Sequence, residues 1–246
     1  MGNVGTTIAF TLLNQNIPLK KILTYDIDTV HLDGHIRDLS DAAIILGKEI
    51  STSSLEQMAQ EADIILICAG YPQKVGQLRE DLACVNAPII VNICKKLQIL
   101  NPHTIVIVVT NPVEALSYLA YQTLKLPTSQ VIGAGTILDT ARYIKYLKVE
   151  DPEISYNNHF ECILGEHGPL QECYSYKSNT PTHPCKKDAL QAAQEEAFKI
   201  IERTGYTHYG IAVSACTLIK NIVNNSKSIL PVSTFIKEYG MYASVP

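Results

Sequence analysis

The chain has no Cys-x-x-Cys pair, no excess of positive charge, and no apolar run long enough to span a bilayer without polar interruption. Each absence removes a class of function. The cysteines (Cys68, Cys84, Cys94, Cys162, Cys173, Cys185 and Cys216) are odd in number and scattered. That pattern argues against a zinc site or a disulfide framework and for reduced thiols in a cytoplasm. No metal site is expected, and most of the thiols should serve as small core hydrophobes. The first residues lack the basic region of a signal peptide, and Thr11, Asn14 and Gln15 break the apolar stretch that follows. A membrane partner is therefore not expected. A net charge of −4 offers nucleic acid no basic patch. A small anionic substrate would need a local group of arginines, because the overall field does not attract it.

What remains is a chain of 246 residues, 46% apolar and 18% charged, which has the balance of a folded globular protein with a large core. There is no internal repeat and no low-complexity linker. Continuous apolar runs at residues 21–25, 64–68, 104–109 and 130–133 read as strands buried on both faces. Helical patterns at 6–14, 55–62, 84–97 and 113–124 alternate with them. This alternation predicts an α/β fold built on a doubly wound parallel sheet. Asp26, Gly70 and Asn111 stand just after strands, at the carboxyl ends where such sheets bind ligands. Beyond about residue 133 the texture changes to helices at 136–147, 188–203 and 211–223, with a strand at 160–164.

The opening Met1-Gly-Asn-Val-Gly carries two glycines spaced like the last two of a dinucleotide fingerprint. Such glycines let backbone amides at a helix N-terminus approach a pyrophosphate. Asp26 follows roughly 20 residues on, where a carboxylate accepts the ribose hydroxyls of NAD and repels the extra phosphate of NADP. Asp139 and Arg142 lie three apart on a predicted helix and so share a face. His167 falls in a glycine-flanked turn directly after an apolar strand, open to close approach by a ligand.

Several segments together carry a wider likeness: Leu164-Gly-Glu-His-Gly, Leu138-Asp-Thr-Ala-Arg142, Thr110-Asn-Pro-Val and Gln73-Lys-Val-Gly-Gln-Leu-Arg79. With Gly205-Tyr-Thr-His-Tyr-Gly-Ile-Ala and Ile229-Leu-Pro-Val-Ser-Thr, their order and spacing resemble those of the L-lactate/malate dehydrogenase family over essentially the whole chain. The resemblance implies an NAD-dependent L-2-hydroxyacid dehydrogenase, a cytoplasmic homodimer or homotetramer. It also implies a Rossmann-type domain over residues 1–133 and an α+β substrate domain over 134–246. Relatives begin with a further strand and continue past residue 246, so both domains are expected to be shortened, the first lacking its initial strand.

Residue by residue, His167 resembles the family's proton donor and acceptor, and Asp139 the carboxylate that orients it. Arg142 resembles the clamp on the substrate carboxylate, and Arg79 the arginine of a closing loop that polarises the substrate carbonyl. Asn111 resembles the asparagine that hydrogen-bonds substrate beside the nicotinamide ribose, and Thr207 a threonine of the substrate pocket. Gly2, Asn3, Val4, Gly5, Asp26, Gly70 and Asn111 fall to the cofactor. Malate enzymes carry arginine where this chain has Gln73, so a second substrate carboxylate is disfavoured and the pyruvate/L-lactate pair favoured. Gly205-Tyr-Thr also resembles the branch acting on 2-hydroxyisocaproate, which leaves larger apolar 2-oxo acids open, with malate as a further alternative. From another class, a truncated non-catalytic fragment or paralogue would retain the same residues.

Overall fold

The computed structural model describes residues 1–73, 77, 79–97, 99–150, 152–154, 161–168, 170–175 and 186–246. In the first half, helix α1 (Asn3–Asn14) leads to strand β1 (Ile22–Thr24), helix α2 (Thr29–Ile45), strand β2 (Ile50–Thr52) and helix α3 (Leu55–Glu61). Strand β3 (Ile64–Ile67), helix α4 (Arg79–Lys96), strand β4 (Ile105–Val108), helix α5 (Val113–Leu124) and strand β5 (Val131–Gly133) follow. The second half contains helix α6 (Ile137–Leu147), the hairpin β6 (Glu161–Gly165) and β7 (Gln171–Ser175), then helices α7 (Lys187–Thr204) and α8 (Tyr209–Val223). Strands β8 (Val232–Ile236) and β9 (Met241–Val245) complete it.

Local chemistry sets many of these boundaries. Ile8, Ala9, Leu12 and Leu13 make one buried face of α1, the spacing of an amphipathic helix. The Asp28 carboxylate caps α2 by accepting the His31 N–H at 3.0 Å, and Ser54 caps α3 through the Gln57 N–H at 3.1 Å. Gly205 closes α7 at φ 84°, a conformation suited to glycine.

The parallel strands fall into two sheets. β1 and β2 pair by themselves, Ile22 opposite Ile50. β3, β4 and β5 pair in parallel, and antiparallel neighbours extend that sheet in the order β3-β4-β5-β8-β9-β6-β7. The parallel α/β arrangement read from the sequence is therefore present, with β1 and β2 set apart from the main sheet. Val106, Ile107 and Val108 of β4 are fully buried, as expected of a strand covered on both faces. One core layer packs α4 and α5 residues such as Ile90 and Leu116 against one side of β4, and another packs Ile8, Ala212 and Ile219 of α1 and α8 against Ile107.

Helix α2 and strands β2, β7, β8 and β9 were not anticipated. Val30, Ile44 and Ile45 are exposed on α2, so apolar residues are not confined to its buried face. β8 and β9 place fully buried Ser233 and Ser244 opposite each other, which interrupts the apolar alternation of both strands. The expectation that all thiols are reduced is corrected by Cys173 of β7, which is disulfide-bonded. Cys68, Cys94 and Cys216 behave as the small hydrophobes expected, with burial pushing each thiol up to about 12. Among the described residues no helix is long and apolar enough to cross a membrane.

Gly133 marks where the sheet turns from parallel to antiparallel pairing. A Cβ there would lie 2.7 Å from Ser117 Oγ, 2.7 Å from Ser233 Cβ and 2.8 Å from Val113 Cγ2. Gly133→Ala should therefore destabilise the fold by ~1–3 kcal/mol through overpacking. Urea unfolding measures this directly, and an unchanged midpoint would contradict the packing described.

Candidate active site

The hairpin that presents His167 depends on Gly165. Its φ is +95°, and a Cβ would lie 2.7 Å from the Leu170 carbonyl oxygen, so a side chain has no room. Gly165 also faces Gln171 of β7 and Ser244 of β9 across the sheet, which fixes where the chain leaves β6. Two residues later His167 stands with 17% of its side chain exposed, within reach of a small molecule.

Helix α6 brings Asp139 and Arg142 to the same place, both buried. Asp139 Oδ2 lies 2.5 Å from His167 Nδ1, and Oδ1 lies 3.5 Å from Arg142 Nη1. Burial pushes the Asp139 carboxyl up. The charge of His167, its hydrogen bond, the charge of Arg142 and a hydrogen bond from Gln171 outweigh that and hold it below its ordinary range. Asp139 is thus ionised at neutral pH, which makes Nδ1 of His167 the donor. Any proton exchanged with a ligand must then pass through Nε2.

A second carboxyl holds the same histidine by its backbone. Glu114 Oε1 accepts the His167 N–H at 3.1 Å and the Ser244 hydroxyl at 3.2 Å. Glu114 belongs to the first turn of α5, two residues beyond the cis Asn111–Pro112 bond. Burial pushes its carboxyl up, against the charge of His167 and hydrogen bonds from its own backbone, His167 and Ser244.

Asn111 marks the other end of the site. Its Oδ1 is buried and has no partner among the described residues. Asn86 of α4, fully buried, locks the surrounding strand ends. Its Oδ1 accepts the Tyr71 N–H at 2.7 Å, and its Nδ2 donates to the Asn111 carbonyl at 2.9 Å. Gly70 packs so closely that a Cβ would lie 2.4 Å from Thr110 Cγ2 and 3.1 Å from Asn86 Oδ1.

At α1, Gly2 is the N-cap and supplies no side-chain hydrogen bond, so the first-turn amides of Asn3, Val4 and Gly5 have no side-chain cap. A Cβ on Gly2 would meet nothing within 4 Å. Asp26, past the end of β1, accepts the Asp28 N–H at 3.0 Å and forms an ion pair with the Met1 ammonium. An uncapped helix start, open space at Gly2, a strand-end carboxylate and the orphaned Asn111 oxygen fit a dinucleotide with a polar reacting end.

Arg142 and Thr207 share a cavity of about 390 Å³ with Leu138, Lys145, Tyr206 and Ile211. His208 Nδ1 lies 2.8 Å from Thr7 Oγ1, which ties the Thr207 loop to α1. Gln73 is half-buried, and its Nε2 donates to the Gln77 carbonyl at 2.9 Å rather than to His167 or Arg142. Arg79 begins α4, and its side chain lies outside the described residues. The structure thus unites His167, Asp139 and Arg142, links them to Asn111 through Glu114, and seats Thr207 beside Arg142. Sequence reasoning missed Glu114, Asn86 and Gln171. A carboxylate in a first helical turn is common for helix-end reasons, so nothing in the sequence sets Glu114 apart.

The chain is similar to proteins of one family over its length. Residues 1–133 match the family model of the lactate/malate dehydrogenase NAD binding domain. L-lactate dehydrogenase 2 of Enterococcus faecalis is 35% identical over 97% of this chain and 80% of its own length. Minor L-lactate dehydrogenase from Enterococcus mundtii superposes with a TM-score of 0.86 at 30% identity, covering 100% of this chain and 84% of that one. The malate dehydrogenase of Aeropyrum pernix gives a TM-score of 0.86 at 30% identity, over 100% of this chain and 83% of that one.

Asp139→Asn removes the charge that His167 and Arg142 share, and breaking a buried pair this way should cost ~3–5 kcal/mol at neutral pH. The native carboxyl lies below the ordinary value of 3.8, so its stabilisation is present above that pH and fades as pH falls through the lowered native value. The deficit of Asp139→Asn should therefore be full at pH 7 and narrow below 3.8. A deficit that is constant across a pH series of denaturant melts would refute the ionised assignment.

Proposed function

Because the chain belongs to the lactate/malate dehydrogenase family, we propose that it is an NAD-dependent L-2-hydroxyacid dehydrogenase interconverting pyruvate and L-lactate. The observation that carries this reading is the buried constellation of His167, Asp139 and Arg142, in which one carboxylate meets both a ring nitrogen and a guanidinium.

Gly2, Asn3, Val4 and Gly5 offer backbone amides to the cofactor's pyrophosphate, Asp26 its carboxylate to a ribose, and Gly70 a close backbone edge. When bound, NAD supplies the hydride acceptor or donor. Arg142 grips the substrate carboxylate through its planar fork. In the reducing direction His167 gives a proton from Nε2 to the carbonyl oxygen, and Asp139 stabilises the imidazolium beforehand. Asn111 hydrogen-bonds the substrate at the same end of the sheet. The role that Arg79 resembles is to polarise the substrate carbonyl as negative charge develops. Gln73 and Thr207 contact the substrate side chain. A neutral Gln73 cannot pair with a second carboxylate, which favours pyruvate over oxaloacetate.

The likeness of Gly205-Tyr-Thr to the branch acting on 2-hydroxyisocaproate favours one alternative substrate, a 2-oxo acid with an apolar tail larger than a methyl group such as 4-methyl-2-oxopentanoate. One methylene in a substrate pocket is worth only ~1–3 kcal/mol, so both acids belong in the assay. Residues 1–133 serve the cofactor and 134–246 the substrate in this reading. Exposed Ile27, Val30, Ile44 and Ile45 on and beside α2 support a homo-oligomer, dimer or tetramer. A cytoplasmic location belongs to the same reading, and the disulfide at Cys173 is the feature that counts against it.

NADH oxidation by the purified chain with pyruvate, oxaloacetate and 4-methyl-2-oxopentanoate tests the assignment. Turnover of pyruvate is expected, and exclusive use of oxaloacetate would sink the argument from Gln73. NADH binding with no turnover of any 2-oxo acid would favour the non-catalytic reading. His167→Gln should lower kcat by ~10²–10⁴-fold while leaving NADH affinity unchanged. Retained turnover would remove His167 from its role.

A further inference from the structure

The mechanism above uses Asp139 to orient His167 and leaves Glu114 without a task. Yet Glu114 is 8% exposed, and a buried carboxyl is costly unless something compensates it. Its Oε1 accepts from the His167 N–H and the Ser244 hydroxyl, whereas its Oε2 is buried with no partner among the described residues. A group retained only for packing could be an apolar side chain of the same volume. This one sits three residues beyond Asn111, in the first turn of the helix that follows the strand end. It therefore ties the end of the site assigned to cofactor and substrate to the acid/base group across the sheet.

We propose that Glu114 is a positioning residue for proton transfer: from α5 it anchors the His167 backbone and so keeps the imidazole in place against Asp139. Asp139 grips the ring from α6 and Glu114 grips the main chain from α5, so the imidazole is fixed from two elements that do not depend on each other. His167 meets Asp139 through its ring and Glu114 through its backbone, with Arg142 behind Asp139. β7 and β9 contribute neutral Gln171 and Ser244.

This inference rests on the reading of His167 as the proton carrier, and the test separates the two. Glu114→Gln keeps an acceptor oxygen for the His167 N–H, and Glu114→Ala removes it. The His167 imidazole signals are followed by NMR in the full chain, alongside kcat, KM and NADH affinity. Glu114→Gln should keep most of kcat and the wild-type imidazole signals. Glu114→Ala should lower kcat by ~10–100-fold through misplacement of the ring and shift those signals, with NADH affinity within twofold of wild type. Wild-type kcat in Glu114→Ala overturns the proposal. A loss in Glu114→Gln as large as in Glu114→Ala overturns it as well, because the conservative variant keeps the acceptor. If the wild-type chain turns over no 2-oxo acid, the functional reading fails, and the imidazole signals still decide whether Glu114 holds His167.

Discussion

A carboxylate that is almost wholly buried must be met by positive charge and hydrogen bonds or lose its own charge, and Asp139 is met on every side observed. His167 approaches one oxygen, Arg142 the other, and Gln171 adds a hydrogen bond. The rest of the site follows from satisfying this one ion. It fixes the tautomer of His167, holds Arg142 where its fork can reach a ligand, and requires β6, β7 and α6 to meet at one point. None of these residues would be placed usefully without the other two.

The sheet supplies that meeting point. β5 joins β8, β8 joins β9, and β9 touches β6 at Gly165 opposite Ser244. A run of hydrogen-bonded strands therefore carries the parallel half of the protein, with Asn111 past the end of β4, to the hairpin that bears His167. Glu114 shortcuts the same distance, reaching from the start of α5 to both Ser244 and the His167 backbone. The buried serines of this seam also account for its local tightness, since Ser117 and Ser233 both crowd Gly133.

Much of this was legible in the sequence, for identifiable reasons. β3, β4 and β5 announce themselves because strands buried on both faces are continuous in apolar residues. The meeting of His167, Asp139 and Arg142 was legible because they sit in segments whose order resembles one family. What escaped detection depends on context. β8 and β9 hide because serines occupy inward positions, and α2 because apolar residues also line its outer face. Asn86 acts through hydrogen bonds to the backbone of Tyr71 and Asn111, and Gln171 through one to Asp139, which no local pattern reveals. The disulfide at Cys173 went unforeseen because scattered cysteines give no spacing signal. The contribution of Arg79 falls on a side chain beyond the described residues.

If Arg142 and His167 present a 2-oxo acid to a reduced nicotinamide, hydride and proton reach the same substrate. Incubating the chain with pyruvate and NADH deuterated at the transferable position, and analysing the product by mass spectrometry and chiral chromatography, reads out both transfers. L-lactate carrying one deuterium at the carbinol carbon is expected. Lactate without deuterium, the D-isomer, or no lactate at all would refute the proposed chemistry.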